Sequence, residues 1–196
     1  MKISYNHLIR SIPSKPSIDE ISQKLFQLGH EHELENCVFD IEFTPNRGDC
    51  LSVNGLLRDL AVFYEIVSPD NLYCHDLKNF EFNFNNNAID SCPNISFLKI
   101  EIEGDIKPYS GPLKSYFDDL EAGKNNFFTD VSNYISYETG QPTHCYDATK
   151  IKNSISLEII DSEEEFETLF EKEILLRDKN LVFVQDGEII NLAGVM

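Results

Sequence analysis

Apolar residues along the first third of the chain follow two rhythms. Ile18, Ile21, Leu25 and Leu28 recur with the spacing of one buried stripe on an α-helix. The preceding Ser17-Ile-Asp-Glu20 has the residues of a capping box, in which each side chain accepts from the other residue's free main-chain N–H. A helix is therefore expected from residue 18, ended by Gly29 in the left-handed conformation. Lys2-Ile-Ser-Tyr-Asn6 reads as a short strand. Phe39, Ile41 and Phe43 alternate with Asp40 and Glu42, the period of a half-buried strand. After a turn over residues 44–50, Val53, Leu56, Leu57, Leu60, Ala61 and Tyr64 mark a second helix, with Asp49 as its expected cap.

These elements make residues 1–67 a small α+β domain. Residues 68–94 shift to Asn, Asp and Phe, with Pro69 and Asn85-Asn-Asn87 as breakers, and form the expected linker. Beyond it, residues 95–103 alternate as a strand, and Gly111-Pro112 opens a helix through Leu113, Tyr116, Phe117 and Leu120. Another helix is predicted from about residue 130 to Thr139, stopped by Gly140. Residues 154–160, 173–176, 181–185 and 188–192 read as strands, the last two joined by an Asp186-Gly187 hairpin turn. The fold class is α+β, with a mixed sheet-and-helix domain over 95–196.

Composition narrows the function classes. The 196 residues carry 16 Lys+Arg against 34 Asp+Glu, a formal charge of −18. A surface that tracks phosphates needs clustered Lys and Arg, so the chain is not a free-standing nucleic-acid binder and no DNA partner is expected. The longest charge run, Glu163 to Glu165, has the wrong sign. Fourteen Phe and 8 Tyr supply a core and argue against disorder. No stretch approaches the roughly 20 apolar residues of a membrane span, and no signal-peptide layout opens the chain. These features point to a cytoplasmic chain with no membrane partner. The 5 Cys are widely spaced without a CxxC, which suits reduced thiols better than a disulfide framework or a zinc site.

Two stretches hold residues able to do chemistry. The first, TPNRGDCLSVNGLLRDLA over 44–61, joins a rigid turn to Arg47 and Arg58, with Asp49 or Asp59 as acidic partner. Its arginines either pair with these carboxylates or, at Arg47, dock a partner chain or a phosphate. The second, FTDVSNYISYETGQPTHCYD over 128–147, runs a polar helix face (Asp130, Asn133, Glu138) into a turn holding His144 and ending at Asp147. A loop His at a helix end either positions water or a leaving hydroxyl, or is bonded within its own turn. Ser132 or Ser136 with His144 and Asp147 has the residue types of a triad but no nucleophile elbow. His30-x-His32 with Cys37 matches no metal-ligand spacing, and no Gly-rich phosphate loop is present. No metal site is expected.

Together these stretches resemble the β chain of bacterial phenylalanyl-tRNA synthetases. That family carries Thr-Pro-Asn-Arg-x-Asp-Cys-Leu-Ser, here Thr44 to Ser52, then a Gly and an Arg-acid pair, here Gly55 and Arg58-Asp59. It also carries Asp-Val-Thr-Asn-Tyr and Glu-x-Gly-Gln-Pro-x-His-x-(Phe/Tyr)-Asp, similar to Asp130-Val-Ser-Asn-Tyr134 and Glu138 to Asp147. Cys92-Pro93, Lys2-Ile-Ser-Tyr-Asn6 and Leu192-Ala-Gly-Val-Met196 fit the same family.

The resemblance implies an N-terminal β-chain domain followed by an editing module that hydrolyses mischarged tyrosyl-tRNA. It implies Asn133 and Pro142 as lining of the editing pocket and His144 as the catalytic group orienting water or the terminal ribose; Arg47, Asp49 and Arg58 are read from their own chemistry as structural or docking residues. The partners implied are the synthetase α chain, in a heterotetramer of two α and two β, and tRNA(Phe). ATP and magnesium would be handled by the α chain, leaving this chain without a cofactor. Four departures stand out. The tRNA-binding domain that the family inserts between Leu34 and Cys37 is replaced by two residues. Asn94 stands where the family has an arginine, and Lys124-Asn-Asn126 shortens an Arg-containing segment. The chain stops inside a motif that the family continues to a Glu recognising the tyrosine hydroxyl, so an N-terminal part of a longer β chain is expected. A stand-alone trans-editing hydrolase and a non-catalytic interaction module are the competing readings.

Overall fold

The computed structural model describes residues 1–67, 78–168 and 171–195. Its architecture is α+β, in two compact units that are each discontinuous in sequence: residues 1–76 with 105–143, and residues 77–104 with 144–196.

In the first unit, β1 (Lys2–Ser4), β3 (Val38–Glu42) and β2 (Glu31–Glu35) form an antiparallel sheet in the order β1-β3-β2. The one-turn helix α1 (Tyr5–Leu8) follows β1 directly. Helix α2 (Ile18–Gln27) begins with the expected capping box, both reciprocal bonds present, and ends before Gly29 at φ +82°. Ten residues make too short a helix to persist alone in water. Burial of Ile21 and Leu25, about 1.5–3 kcal/mol each, holds it on the sheet beside Ile3, Phe39 and Ile41.

Helix α3 (Val53–Leu60) buries Val53, Leu56, Leu57 and Leu60 in the same core. Its cap is Ser52, whose hydroxyl accepts from the Gly55 amide at 2.9 Å; the expected cap Asp49 lies in the preceding turn and is taken by arginines. Ala61 is the exposed C-cap, and Tyr64 reaches the core from beyond the helix. Strand β2, whose Glu-rich sequence hid it, is set by the Asn36-Cys37 turn: both residues have positive φ, +47° and +66°, as a tight two-residue hairpin requires.

Residues 105–143 fold with the N-terminal elements, whereas the sequence had grouped them with the downstream strands. Helices α4 (Gly111–Leu120) and α5 (Phe127–Thr139) supply the reason. Tyr137 of α5 enters the first core, and its hydroxyl accepts the Ser4 amide at 3.1 Å. Tyr116 of α4 packs its ring 4.9 Å from that of Tyr137. Helix α5 starts three residues before the expected position because Asn126 caps it, accepting from the Phe128 and Thr129 amides. Gly140, at φ +73°, closes it against Ser52, where a Cβ would lie 3.2 Å from the serine Cβ.

The second unit holds a sheet in the order β4-β5-β8-β9, from Asn83–Asn86, Ser154–Asp161, Lys179–Gln185 and Glu188–Leu192. The β4–β5 pair is parallel and the others antiparallel. A separate ribbon pairs β6 (Glu164–Glu167) with β7 (Glu173–Leu176). Asp186 and Gly187 both have positive φ, as the hairpin reading requires.

Two expectations are corrected here, and an acidic run for which the sequence set no element is placed. The Asn-rich breakers include strand β4, because Phe84 packs on Phe97 and Phe183; residues 68–77 of that linker, with Cys74, lie outside the described residues. The acidic run is strand β6, Phe166 being its partly buried contact. Residues 95–103 alternate like a strand yet belong to no ladder among the described residues.

Gly55→Ala tests the close packing at the start of α3. Alanine is the better helix former by about 1 kcal/mol, but the added Cβ would lie 2.0 Å from the Asp49 carbonyl oxygen. Overpacking costs about 1–3 kcal/mol, so urea unfolding is expected to show net destabilisation; a gain in stability would mean that the turn yields freely.

Candidate functional site

The turn over 44–50 places Arg47 at the centre of a polar cluster in the first unit. Its guanidinium donates to Asp49 at 3.1 and 3.3 Å and to Asp59 at 2.6 Å, and lies 2.8 Å from the Cys50 sulfur. Arg58, one turn along α3, donates to Asp49. His30 Nε2 donates to Asp59 at 3.0 Å. Arg47, Asp49 and Arg58 are thus brought together, with Asp59, His30 and Cys50 added. Burial raises the Asp59 pKa, but the hydrogen bonds from Arg47, His30 and Cys50 outweigh it and hold the carboxyl below its ordinary range. Burial, reinforced by Asp59, pushes the Cys50 thiol up to about 11, so it stays protonated at neutral pH.

His30, Cys50 and Asp59 also have the donor types of a metal site, their ligand atoms lying within 4.8 Å of one another. Arg47 already places a cation against two of the three. His32, paired with His30 in the sequence, instead bonds Ser22 at 2.9 Å, and Cys37 sits exposed in the β2–β3 turn.

Helix α5 divides its polar residues by depth. Asp130 is buried, accepting from the Tyr109 hydroxyl at 2.6 Å and the Asn125 amide at 2.9 Å; this bond is the main reason the Tyr109 pKa rises to about 12. Glu138 accepts from His7 Nε2 at 3.0 Å. Asn133 and Pro142 are exposed. Ser132 and Ser136 donate to the Thr143 and Gln141 carbonyls at 2.8 and 3.0 Å, so both hydroxyls shape the Gly140–Thr143 turn. Asp147 is held by Thr149 in a local turn.

Asn133 and Pro142 belong to the first unit and His144 to the second. His144 lines an open cavity of about 1040 Å³ between strand β5, the β8–β9 hairpin and the β6 strand. Asn191 on β9 is buried, with Nδ2 3.4 Å from His144 Nδ1, and the Tyr146 ring lies 4.6 Å from the imidazole. Although His144 keeps access to solvent, the protein around its ring holds its pKa below the ordinary value, leaving it neutral at pH 7. With Nδ1 accepting from Asn191, the hydrogen resides on Nε2, which can donate to a ligand oxygen. The cavity's remaining polar lining is mostly acidic: Glu158, Glu164, Glu165, Glu167, Asp186 and Glu188. Sequence reasoning missed Asn191 and Glu158; the available signal was a polar residue in an apolar strand pattern.

Asp59→Asn is expected to cost about 1–3 kcal/mol at pH 7, the value of hydrogen bonds to a buried charge. Because its folded pKa is depressed, the stabilisation is full above the unfolded value near 3.8 and is lost as pH falls through the lower folded value. Urea unfolding as a function of pH checks both: the gap between wild type and variant should close in acid, and a pH-independent gap would contradict an ionic contribution.

Comparison with known proteins adds the family. Residues 112–196 match the B3/4 domain. The phenylalanine–tRNA ligase β subunit of Psychrobacter arcticus is 32% identical over 171 residues, covering 83% of this chain and 21% of that subunit. The same subunit is 32% identical over 173 residues in Ehrlichia canis (81% of this chain, 20% of the subunit) and 31% over 194 residues in Rickettsia felis (83% and 23%). An N-terminal fragment of the Pyrococcus horikoshii phenylalanyl-tRNA synthetase β subunit superposes with a TM-score of 0.44 at 15% identity, covering 99% of this chain and 61% of the fragment. The chain spans about a fifth of the length of the curated relatives it matches. Over most of its length the chain is thus similar, at moderate identity, to phenylalanine–tRNA ligase β subunits.

Proposed function

We propose that this chain acts as part of a phenylalanine–tRNA ligase β subunit and that its His144 unit contributes to hydrolysis of mischarged tyrosyl-tRNA(Phe). In this reading the subunit works with the α chain in a heterotetramer of two α and two β, binds tRNA(Phe), and leaves ATP and magnesium to the α chain. The observation that carries it is His144 at the cavity edge, neutral, with Asn191 at its Nδ1.

The chemistry asked of it is ester cleavage. Water adds to the aminoacyl carbonyl carbon, the bond to the ribose oxygen breaks, and the ribose oxygen takes a proton, giving tyrosine and free tRNA. A neutral imidazole donating from Nε2 can orient that water or hold the ribose hydroxyl beside the ester. Editing has a physical rationale, since a pocket for phenylalanine rejects one added hydroxyl only modestly and a second site must recognise it. Asn133 and Pro142 are proposed to contact the substrate as well.

One observation favours a second reading, a non-catalytic interaction module. The six carboxylates around the cavity repel phosphate, so the tRNA body would have to be held by other parts of the enzyme.

His144→Ala in the assembled ligase separates the two. Losing one positioned donor costs roughly 10²-fold in rate, so tyrosyl-tRNA(Phe) should accumulate while charging with phenylalanine stays near wild type. Unchanged clearance of tyrosyl-tRNA(Phe) would make His144 structural.

A further inference from the structure

Residues 98–103 are apolar on one parity (Leu98, Ile100, Ile102) and charged on the other (Lys99, Glu101, Glu103), yet residues 95–103 make no main-chain hydrogen bond among the described residues. None of them has positive φ, and Lys99 Nζ reaches Glu101, two residues on, at 2.6 Å; that contact places both on one face, as in extended chain. The other face shows Leu98, Ile100 and Ile102, 64, 59 and 41% exposed. Phe97 anchors the segment to its own unit, its ring 4.7 Å from Phe82 and 4.8 Å from Phe84. An exposed strand with free N–H and C=O groups is a template for pairing, and the charges along it identify the partner.

We propose that this segment pairs with the same segment of a second copy, antiparallel about a two-fold axis through Ile100. In that register Ile100 faces its own copy, Leu98 faces Ile102, and Lys99 faces Glu101, the last two contacts each made twice. Every apolar side chain from 98 to 102 then meets an apolar one, and each lysine meets a glutamate. Moving the axis to residue 99 sets Lys99 against Lys99. Moving it to residue 101 sets Glu101 against Glu101. Like charges directly opposite one another destabilise a sheet pair, so the sequence favours the central register. A two-fold pairing is closed, so it ends at a dimer. The contact is short compared with standard interfaces, and the dimer is therefore weak and concentration-dependent. None of these residues enters the editing proposal, so either can fail without the other.

Sedimentation of the 196-residue chain over a concentration series tests this. The wild type should show a reversible monomer–dimer equilibrium. Lys99→Glu and Glu101→Lys each set like charges opposite one another and should each weaken it by at least about tenfold. The double exchange Lys99→Glu/Glu101→Lys should restore it, and an equimolar mixture of the two single variants should associate although neither does alone. That restoration also excludes misfolding as the cause of the losses. A wild type that remains monomeric at high micromolar concentration, or a dimer indifferent to all three variants, would overturn the proposal.

Discussion

The insertion of Tyr137 into the first core is the contact on which the first unit depends. Its ring is buried among the residues that α2, α3 and the three-stranded sheet contribute, and its hydroxyl satisfies the Ser4 amide, a main-chain donor where β1 gives way to α1. A buried amide without a partner costs as much as a lost hydrogen bond, so this tyrosine does two tasks with one side chain. It carries α5 with it. Through Tyr116, and through Ser4 Oγ donating to Asp119, α4 follows. Residues remote in sequence thereby become one unit, and the Gly140–Thr143 turn that leads to His144 starts from a fixed helix end.

In the polar cluster at Arg47 both arginines pair with carboxylates of their own unit. A guanidinium shared by two carboxylates and lying against a protonated thiol is held in several directions at once, and Gly55 allows the Asp49 carbonyl to approach where no side chain would fit. The Thr-Pro-Asn-Arg turn therefore packs as part of α3's N-terminal support. A second polar group lies in the second unit, where His144 and the buried Asn191 meet at an open, acidic cavity.

What the sequence made legible follows from how local each determinant is. The capping box at Ser17, the apolar stripe of α2, the Asp186-Gly187 turn and Gly140 are local signals, and each element stands where they put it. Strands β2, β4 and β6 were hidden because their residues are mostly Glu or Asn, and β4 also because its partner β5 lies about 70 residues away in sequence. The cap of α3 was misjudged by a few residues because Asp49 and Ser52 are both good capping residues, and only the arginines show which one is already engaged. His144 was legible as a loop His near a helix end. Asn191, far along the chain, became its neighbour only through the β8–β9 hairpin. The cluster of His30 with Cys50 and Asp59 joins residues from the β2 approach and α3, a juxtaposition no spacing rule contains.

We propose that this chain contributes to editing. The direct measurement is the rate at which the assembled ligase deacylates tyrosyl-tRNA(Phe) compared with phenylalanyl-tRNA(Phe), without ATP so that recharging is excluded. Faster release of tyrosine than of phenylalanine is the predicted result. Equal rates for the two, or no release above the spontaneous rate, would contradict it and leave the acidic unit as an interaction module.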